Sequence, residues 1–319
     1  MHVSRSARVS IRPVLGLGLA VIDHVYLVDS DDPAQERARY RERLESGGGM
    51  TSTALVQSAA LGCPTRILSV VGDDREGRQV ARWLREAGVG VRGLMRSADQ
   101  PTSVAVVIVE RGTAERRFLV ADRRRYERDV ADFDLRDLTP RSILLVDGHF
   151  PAQARRAVRR ARELGACVIG DFSHPRSDFL KLLPYIDYPI VPEPFAREYA
   201  GGDPKDTVRR LHDQFGGVPV VTLGARGGVY LHGDRVRDFS APRVRTLDTT
   251  GAGDVFHGAF AAGLAHGLDL EACIRVAARA GALCCTALGG RGRLMTLREM
   301  QGATSRTKVQ ASKTRWRAV

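Results

Sequence analysis

The chain is expected to fold as an α/β protein: a doubly wound, mostly parallel sheet with helices on both faces and a small separate β-sheet serving as a lid. Three observations carry that expectation. Short apolar runs alternate with longer segments of helical period, which is the pattern of parallel strands joined by crossover helices. Several periodic segments end in glycine just past their last apolar residue, at Gly62, Gly88 and Gly165, as helix C-caps do. Two stretches rich in β-branched residues break the rhythm with no helix between them.

Taken in order, the expected strands are Val14–Ala20, Thr65–Val71, Ser142–Asp147, Cys167–Asp171, Tyr188–Val191 and Val218–Leu223. The expected helices are Thr51–Leu61, Glu76–Ala87, Ala152–Leu164, Pro204–Phe215 and Gly253–His266. The excursions at Val25–Val28, and at Val104–Val109 with Arg116–Val120, read either as a lid over a site or as an edge extension of the main sheet.

A chain of 319 residues is long enough for one large α/β domain. It divides into a basic tail at 1–12, a main domain at 13–302 with lid strands at about 23–48 and 102–121, and a basic tail at 303–319. The net charge of +12 would point to nucleic acid if it lay along one face. Instead Arg5, Arg8, Arg12, Arg306, Lys308, Lys313, Arg315 and Arg317 sit in the tails, and the body keeps about +4, so no nucleic-acid partner is expected. Five cysteines form no C-x-x-C pair and no metal spacing, which fits reduced thiols in the cytoplasm. Val14 to Ile22 follows three arginines like a signal peptide, but Asp23 and His24 interrupt it and no cleavage site follows. No apolar run reaches the roughly 20 residues of a membrane span.

The segment Asp248-Thr-Thr-Gly-Ala-Gly-Asp254 precedes the apolar helix Val255–Leu264, where open α/β sheets bind ligands. Gly251 and Gly253 let the backbone approach a ligand, and the N–H groups at the helix start point at an anion. Such a pocket would stabilise charge on a transferring phosphoryl group. A carboxylate at Asp254 is out of place for phosphate binding alone. It suits a group that orients an attacking hydroxyl and accepts its proton, although an aspartate with an ordinary pKa near 4, further acidified by a helix N-terminus, is a weak base.

These residues resemble the C-terminal signature of the ribokinase, or PfkB, family of carbohydrate kinases. Gly47-Gly48-Gly49-Met50-Thr51-Ser52-Thr53-Ala54, with Val71-Gly72-Asp73-Asp74-Arg75-Glu76-Gly77, resembles its N-terminal signature. Gly16 to Asp23 and Thr222 to Gly228 fall in family order, so the resemblance spans roughly residues 13–302. It implies a ribokinase-like fold and an ATP-dependent phosphotransferase that uses Mg²⁺ and acts on a sugar hydroxyl. By position it also implies Asp254 as catalytic base and Gly251, Ala252 and Gly253 as the anion hole. Asp23, Gly47, Gly48 and Ser52 would meet the sugar, and Thr222, Gly224, Gly227, Thr250 and Gly290 the nucleotide. A homodimer through the lid is a further implication of the resemblance alone.

Two departures matter. Ser52 stands where the family usually has Asn, and Pro192-Glu193-Pro194-Phe195 stands where it often has Asn-x-x-Glu, leaving Asp171 and Glu193 as guessed substitutes for holding magnesium. Gly47-Gly48-Gly49, the run Asp254 to Ala259 and the run Cys285 to Arg291 look most like the branch of sulfofructose kinase and, more distantly, ketohexokinase. His149 aligns where that branch would place a sulfonate-binding arginine, so a sulfosugar is not expected and His149 is a candidate sugar contact.

Other features admit plainer readings. Gly16-x-Gly18 lacks the third glycine of a dinucleotide fingerprint. His257 could reach a phosphate or be a satisfied core histidine, and His174 could touch substrate or lie in a solvated loop. The run Arg123-Arg124-Arg125 is a solvated face or a contact for a phosphorylated substrate. The alternatives to a sugar kinase are a nucleoside kinase of the same fold, marked by a stacking aromatic in the lid, and a sugar- or nucleotide-binding regulator without turnover.

Overall fold

The computed structural model describes residues 10–31, 36–37, 39–122, 127 and 130–304. The Arg123–Arg125 run and most of both basic tails lie outside them. Of the N-terminal tail, Arg12 is described and is docked: its Nε donates to the Arg141 carbonyl at 2.8 Å.

The chain begins with β1 (Val14–Leu17), buried along its length, then leaves the layer through β2 (Val21–Val28) and β3 (Tyr40–Gly48). It returns through α1 (Met50–Ala60), β4 (Thr65–Gly72), α2 (Arg75–Glu86) and β5 (Val89–Ser97), and leaves again as the hairpin β6 (Val104–Glu110) and β7 (Arg116–Val120). Then follow β8 (Ile143–Val146), α3 (Pro151–Leu164), β9 (Cys167–Asp171), the short α4 (Ser177–Leu180) and β10 (Tyr188–Pro192). After α5 (Glu193–Ala200), α6 (Pro204–Phe215) and β11 (Val220–Thr222) come the hairpin of β12 (Gly228–His232) and β13 (Arg235–Phe239) and the helices α7 (Ala252–Ala265), α8 (Leu270–Cys284) and α9 (Leu297–Thr304).

The large sheet has the order β13-β12-β11-β10-β9-β8-β1-β4-β5 and is parallel except at β12 and β13. Its two faces carry separate apolar cores. One is built around α1, α7 and α8, with Leu55, Val255 and Phe260, and the other around α3 and α6, with Phe150, Val158 and Leu211. The strands expected to form a lid make a separate four-stranded sheet of order β3-β2-β6-β7 and not an edge extension of the main sheet. Val25, Leu27, Val107 and Val109 line one side of the lid and close on Leu288, so the lid is packed onto the body by its own small core.

Several boundaries differ from those expected. The first strand stops at Leu17, because Gly18 leads into a turn and the Leu19 N–H donates to the Asp147 carboxylate at 2.8 Å. A Cβ on Gly18 would lie 2.1 Å from that carboxylate oxygen, so only glycine fits. β3 carries mostly exposed charged residues and β5 mixes buried with exposed ones, so neither shows as an apolar run. α8 buries alanine, cysteine and glycine along most of its inner face, which weakens the periodic signal of large apolar residues.

α7 is buried along most of its length. Its Gly258 sits against α1, where a Cβ would meet the Ala54 carbonyl oxygen at 2.1 Å, and Ser58 Oγ donates to the Gly258 carbonyl at 2.8 Å. This close approach fixes where the N-terminus of α7 points.

Candidate active site

Four parallel strands deliver polar residues at or just past their carboxyl ends: Asp147 after β8, Asp171 in β9, Glu193 after β10 and Thr222 in β11. This is the side on which open α/β sheets bind ligands. The first turn of α7, with Asp254, meets them there.

The loop leading into α7 is held by Asp248, which is buried. One carboxylate oxygen accepts from the Thr250 N–H at 2.8 Å and the other from the Gly289 N–H at 2.7 Å. Gly251 then takes a left-handed conformation (φ 71°), and its missing side chain lets Gly290 pack within reach: a Cβ on Gly251 would lie 2.5 Å from the Gly290 Cα. The N–H groups of Gly251, Gly253 and Asp254 have no acceptor among the described residues, whereas that of Ala252 turns back to the Thr249 carbonyl at 3.3 Å. Gly253 is exposed, with open space where its side chain would be. Free N–H groups, an open approach and a helix dipole suit a phosphate. Thr250 Oγ1 is buried beside them without a hydrogen-bond partner among the described residues.

Asp254 is pushed up to about 7 by burial, with the charges of Asp171, Asp23 and Asp147 raising it further and His257 opposing. The expectation of an ordinary aspartate near 4 is thereby corrected: desolvation and neighbouring carboxylates outweigh the helix N-terminus. His257, one turn on, is a core histidine with both ring nitrogens turned to backbone carbonyls. Its Nδ1 faces the Gly253 carbonyl at 2.7 Å and its Nε2 the Ile190 carbonyl at 3.2 Å, so neither nitrogen is left for a phosphate. Burial lowers its basicity.

On the acceptor side, Asp23 lies in β2, buried, and fills the volume that a side chain on Gly48 would need, 2.1 Å from the ideal Cβ. Burial raises its carboxyl to about 6 against the pull of Arg291. Gly47 likewise makes room for the Arg291 guanidinium. Ser52 departs from expectation. It is fully buried, bonded to the Gly48 carbonyl and to Arg291 Nη2, and has no surface left for a sugar. His149 Nδ1 is committed to the Glu127 carboxylate, and the backbone N–H of His149 donates to Asp147 Oδ1 at 3.0 Å. His174 pairs with Glu198 at 2.7 Å in an exposed position, as a solvated loop would.

On the nucleotide side, Gly224 (φ 58°) borders open space, while Gly227 has a structural duty: a Cβ there would meet the Phe239 carbonyl at 1.9 Å. Gly290 braces Gly251, and Thr222 ends β11. The two guessed magnesium ligands differ. Asp171 is buried 3.3 Å from His257 Nδ1, and burial holds its carboxyl well above the usual range, which disfavours the ionised form a metal would need. Glu193 is partly exposed and ion-paired with Arg226 at 2.6 Å. Among the described residues no group of three or more His, Cys, Asp or Glu could hold a metal ion. That donor set still fits magnesium arriving with a nucleotide, since this ion is usually held by one or two carboxylates plus phosphates and water.

Asp147, Asp248 and Arg291 were not singled out from the sequence, although Asp248 and Arg291 stand inside recognised motifs. Asp147 accepts from Leu19 N–H and from Thr51 Oγ1 at 2.9 Å, tying β8 to the start of α1. Its only signal was a carboxylate directly after an apolar strand.

Comparison with known proteins agrees with this geometry. The family model described as pfkB family carbohydrate kinase matches residues 13–296. A ribokinase of Arabidopsis thaliana is 28% identical over 77% of this chain and 68% of its own length. A nucleoside kinase of Methanothermobacter thermautotrophicus is 26% identical over 83% and 87%. Among solved structures, a putative ribokinase from Agrobacterium tumefaciens superposes with a TM-score of 0.85 at 27% identity, covering 92% of this chain and 98% of that one.

The buried Asp171 leads to a stability prediction. The folded protein keeps a proton there that the unfolded chain releases above about pH 4, so the cost is absent below that pH and grows as pH rises toward the raised folded value. Asp171→Asn removes this titration. In thermal melts without nucleotide, its Tm relative to wild type is expected to shift upward between pH 4 and pH 7. A constant difference across that range would contradict the assignment.

Proposed function

The chain belongs to the pfkB family of carbohydrate kinases, and from that premise we propose that it transfers the γ-phosphoryl group of ATP to a hydroxyl of a ketose-like or related small sugar. The observation that carries the reading is the juxtaposition of free N–H groups at the start of α7 with the Asp254 carboxylate in the same turn.

Asp254 accepts a hydrogen bond from the attacking hydroxyl and takes its proton. A base poised near neutrality does this better than an ordinary aspartate, because it gains affinity for the proton while staying largely ionised above pH 7. The N–H groups of Gly251, Gly253 and Asp254 bind the transferring group's oxygens and gain strength as charge builds there. Asp23 holds a second sugar hydroxyl, with Gly47 and Gly48 leaving room. Gly224 offers an open approach for the nucleotide. Magnesium, held by the nucleotide phosphates and by Glu193 once it exchanges its Arg226 partner, would supply charge neutralisation. Five free cysteines suit a cytoplasmic setting.

A nucleoside acceptor is the second reading, favoured by the similarity to a nucleoside kinase. A non-catalytic regulator is disfavoured by the intact Asp254 with its raised carboxyl.

ADP release measured over ketoses, aldoses, sugar acids and nucleosides tests the reading. Turnover is expected on a sugar, and Asp254→Asn should lower kcat by roughly 10²- to 10⁴-fold. The base must be ionised, so kcat/KM should rise about tenfold per pH unit up to about pH 7 and then level off. Full activity of the Asn variant would sink the assignment, and turnover confined to nucleosides would move it to the second reading.

The outer edge of the lid, unpaired among the described residues, motivates a quaternary proposal. β7 is exposed throughout, and Phe118, Leu119 and Val120 are 46%, 53% and 66% exposed, an apolar edge strand that a second copy would cover. Sedimentation should show a dimer that Leu119→Lys dissociates at micromolar concentration. A wild-type monomer at the same concentration would contradict it.

A further inference from the structure

Ser52 occupies a position expected to touch the sugar, yet it is fully buried and its hydroxyl is spent. That hydroxyl donates to the Gly48 carbonyl and accepts from Arg291 Nη2 at 2.6 Å. Nη2 also lies 3.2 Å from the Gly48 carbonyl, and Nε lies 3.3 Å from Thr53 Oγ1. One edge of the guanidinium is therefore held from behind by α1 and the end of β3. The other edge is not: Nη1 has no hydrogen-bond acceptor among the described residues, and it occupies the volume that a Gly47 side chain would take, 2.1 Å from the ideal Cβ. Arg291 stands close enough to Asp23 and Asp254 for both carboxylates to stabilise its charge, without a direct ion pair to either among the described residues. The guanidinium thus lies within electrostatic reach of both the group that would hold the sugar and the group that would deprotonate it.

We propose that Arg291, anchored by Ser52, is the acceptor-binding donor of this site and that it selects a vicinal pair of oxygens, one donating to Asp23 and its neighbour accepting from Arg291 Nη1. This rests on the kinase reading and deepens it. Where relatives with Asn at position 52 have an amide, this chain has a short hydroxyl and a long cation brought in from the loop after α8. A guanidinium has donors only, so the oxygen it meets must accept. A sugar lacking that oxygen leaves a buried N–H unpaired, which a polar site penalises heavily.

The test uses the acceptor found in the ADP-release panel, together with its singly deoxygenated analogues. Arg291→Gln should raise the acceptor KM roughly ten- to a hundredfold while the ATP KM stays within about twofold. The wild type should reject one deoxy analogue at a position next to a retained hydroxyl, and Arg291→Gln should lose that discrimination. Ser52→Asn combined with Arg291→Gln should recover much of the acceptor affinity, because the amide takes the vacated space. Arg291→Lys keeps the buried charge and serves if the Gln variant does not fold; its acceptor KM should also rise.

Acceptor and ATP KM rising equally, or no change in a folded variant, would overturn the proposal. If Asp254→Asn abolishes turnover while Arg291→Gln leaves the acceptor KM alone, the kinase reading stands and this inference falls. If no acceptor is turned over by the wild type, both fall together.

Discussion

The carboxylate of Asp248 is the interaction on which the rest of the site depends. It bridges the Thr250 and Gly289 N–H groups from a buried position and so joins the loop before α7 to the loop after α8. Gly251 can take its left-handed turn against Gly290 because those loops are clamped, and the N–H groups past the turn are left to face outward. Hydrogen bonds to a buried charge are each worth roughly 1.5–3 kcal/mol, and a donor stranded in the interior costs a comparable amount. The clamp also reaches the lid: Leu288 packs into the lid core, and Gly289 lies where a side chain would meet Leu44 of β3. One carboxylate thus links the first turn of α7, the loop after α8 and, through it, the small sheet.

A second constraint is the density of charge beneath the cradle. Asp23, Asp171 and Asp254 crowd a space with the Arg291 guanidinium and the His257 imidazole, and desolvation raises all three carboxyls. The charge of Asp171 is among the causes that raise Asp254. Asp254 settles near neutrality, where it can exchange a proton usefully. Arg291 keeps its charge in spite of burial because two carboxylates need it. Electrostatics here tune the site more than they stabilise the fold.

How much of this was legible in the sequence follows from what each feature depends on. The parallel layer and its crossover helices rest on apolar periodicity, which β1, β8 and α3 display openly. The charged, exposed β3 and the small-residue α8 lack that signal. The Asp248–Asp254 loop was readable because its glycines and acids are local. Ser52 and Arg291 are 239 positions apart and meet only in the folded chain. The fate of Ser52, saturated by its partners, likewise could not be read locally. Nor could the raised carboxyl of Asp254, which sums contributions from β2, β8 and β9.

The central claim is that Asp248 builds the phosphate cradle by clamping two loops. Its most direct measurement is the kcat for ADP release of Asp248→Asn, compared with wild type on the same acceptor, with circular dichroism confirming the fold. An asparagine keeps the shape but can accept only one of the two N–H bonds. A fall in kcat of about a hundredfold or more in a folded protein is the predicted result. Unchanged kcat would contradict the account, since the cradle would then stand without its clamp.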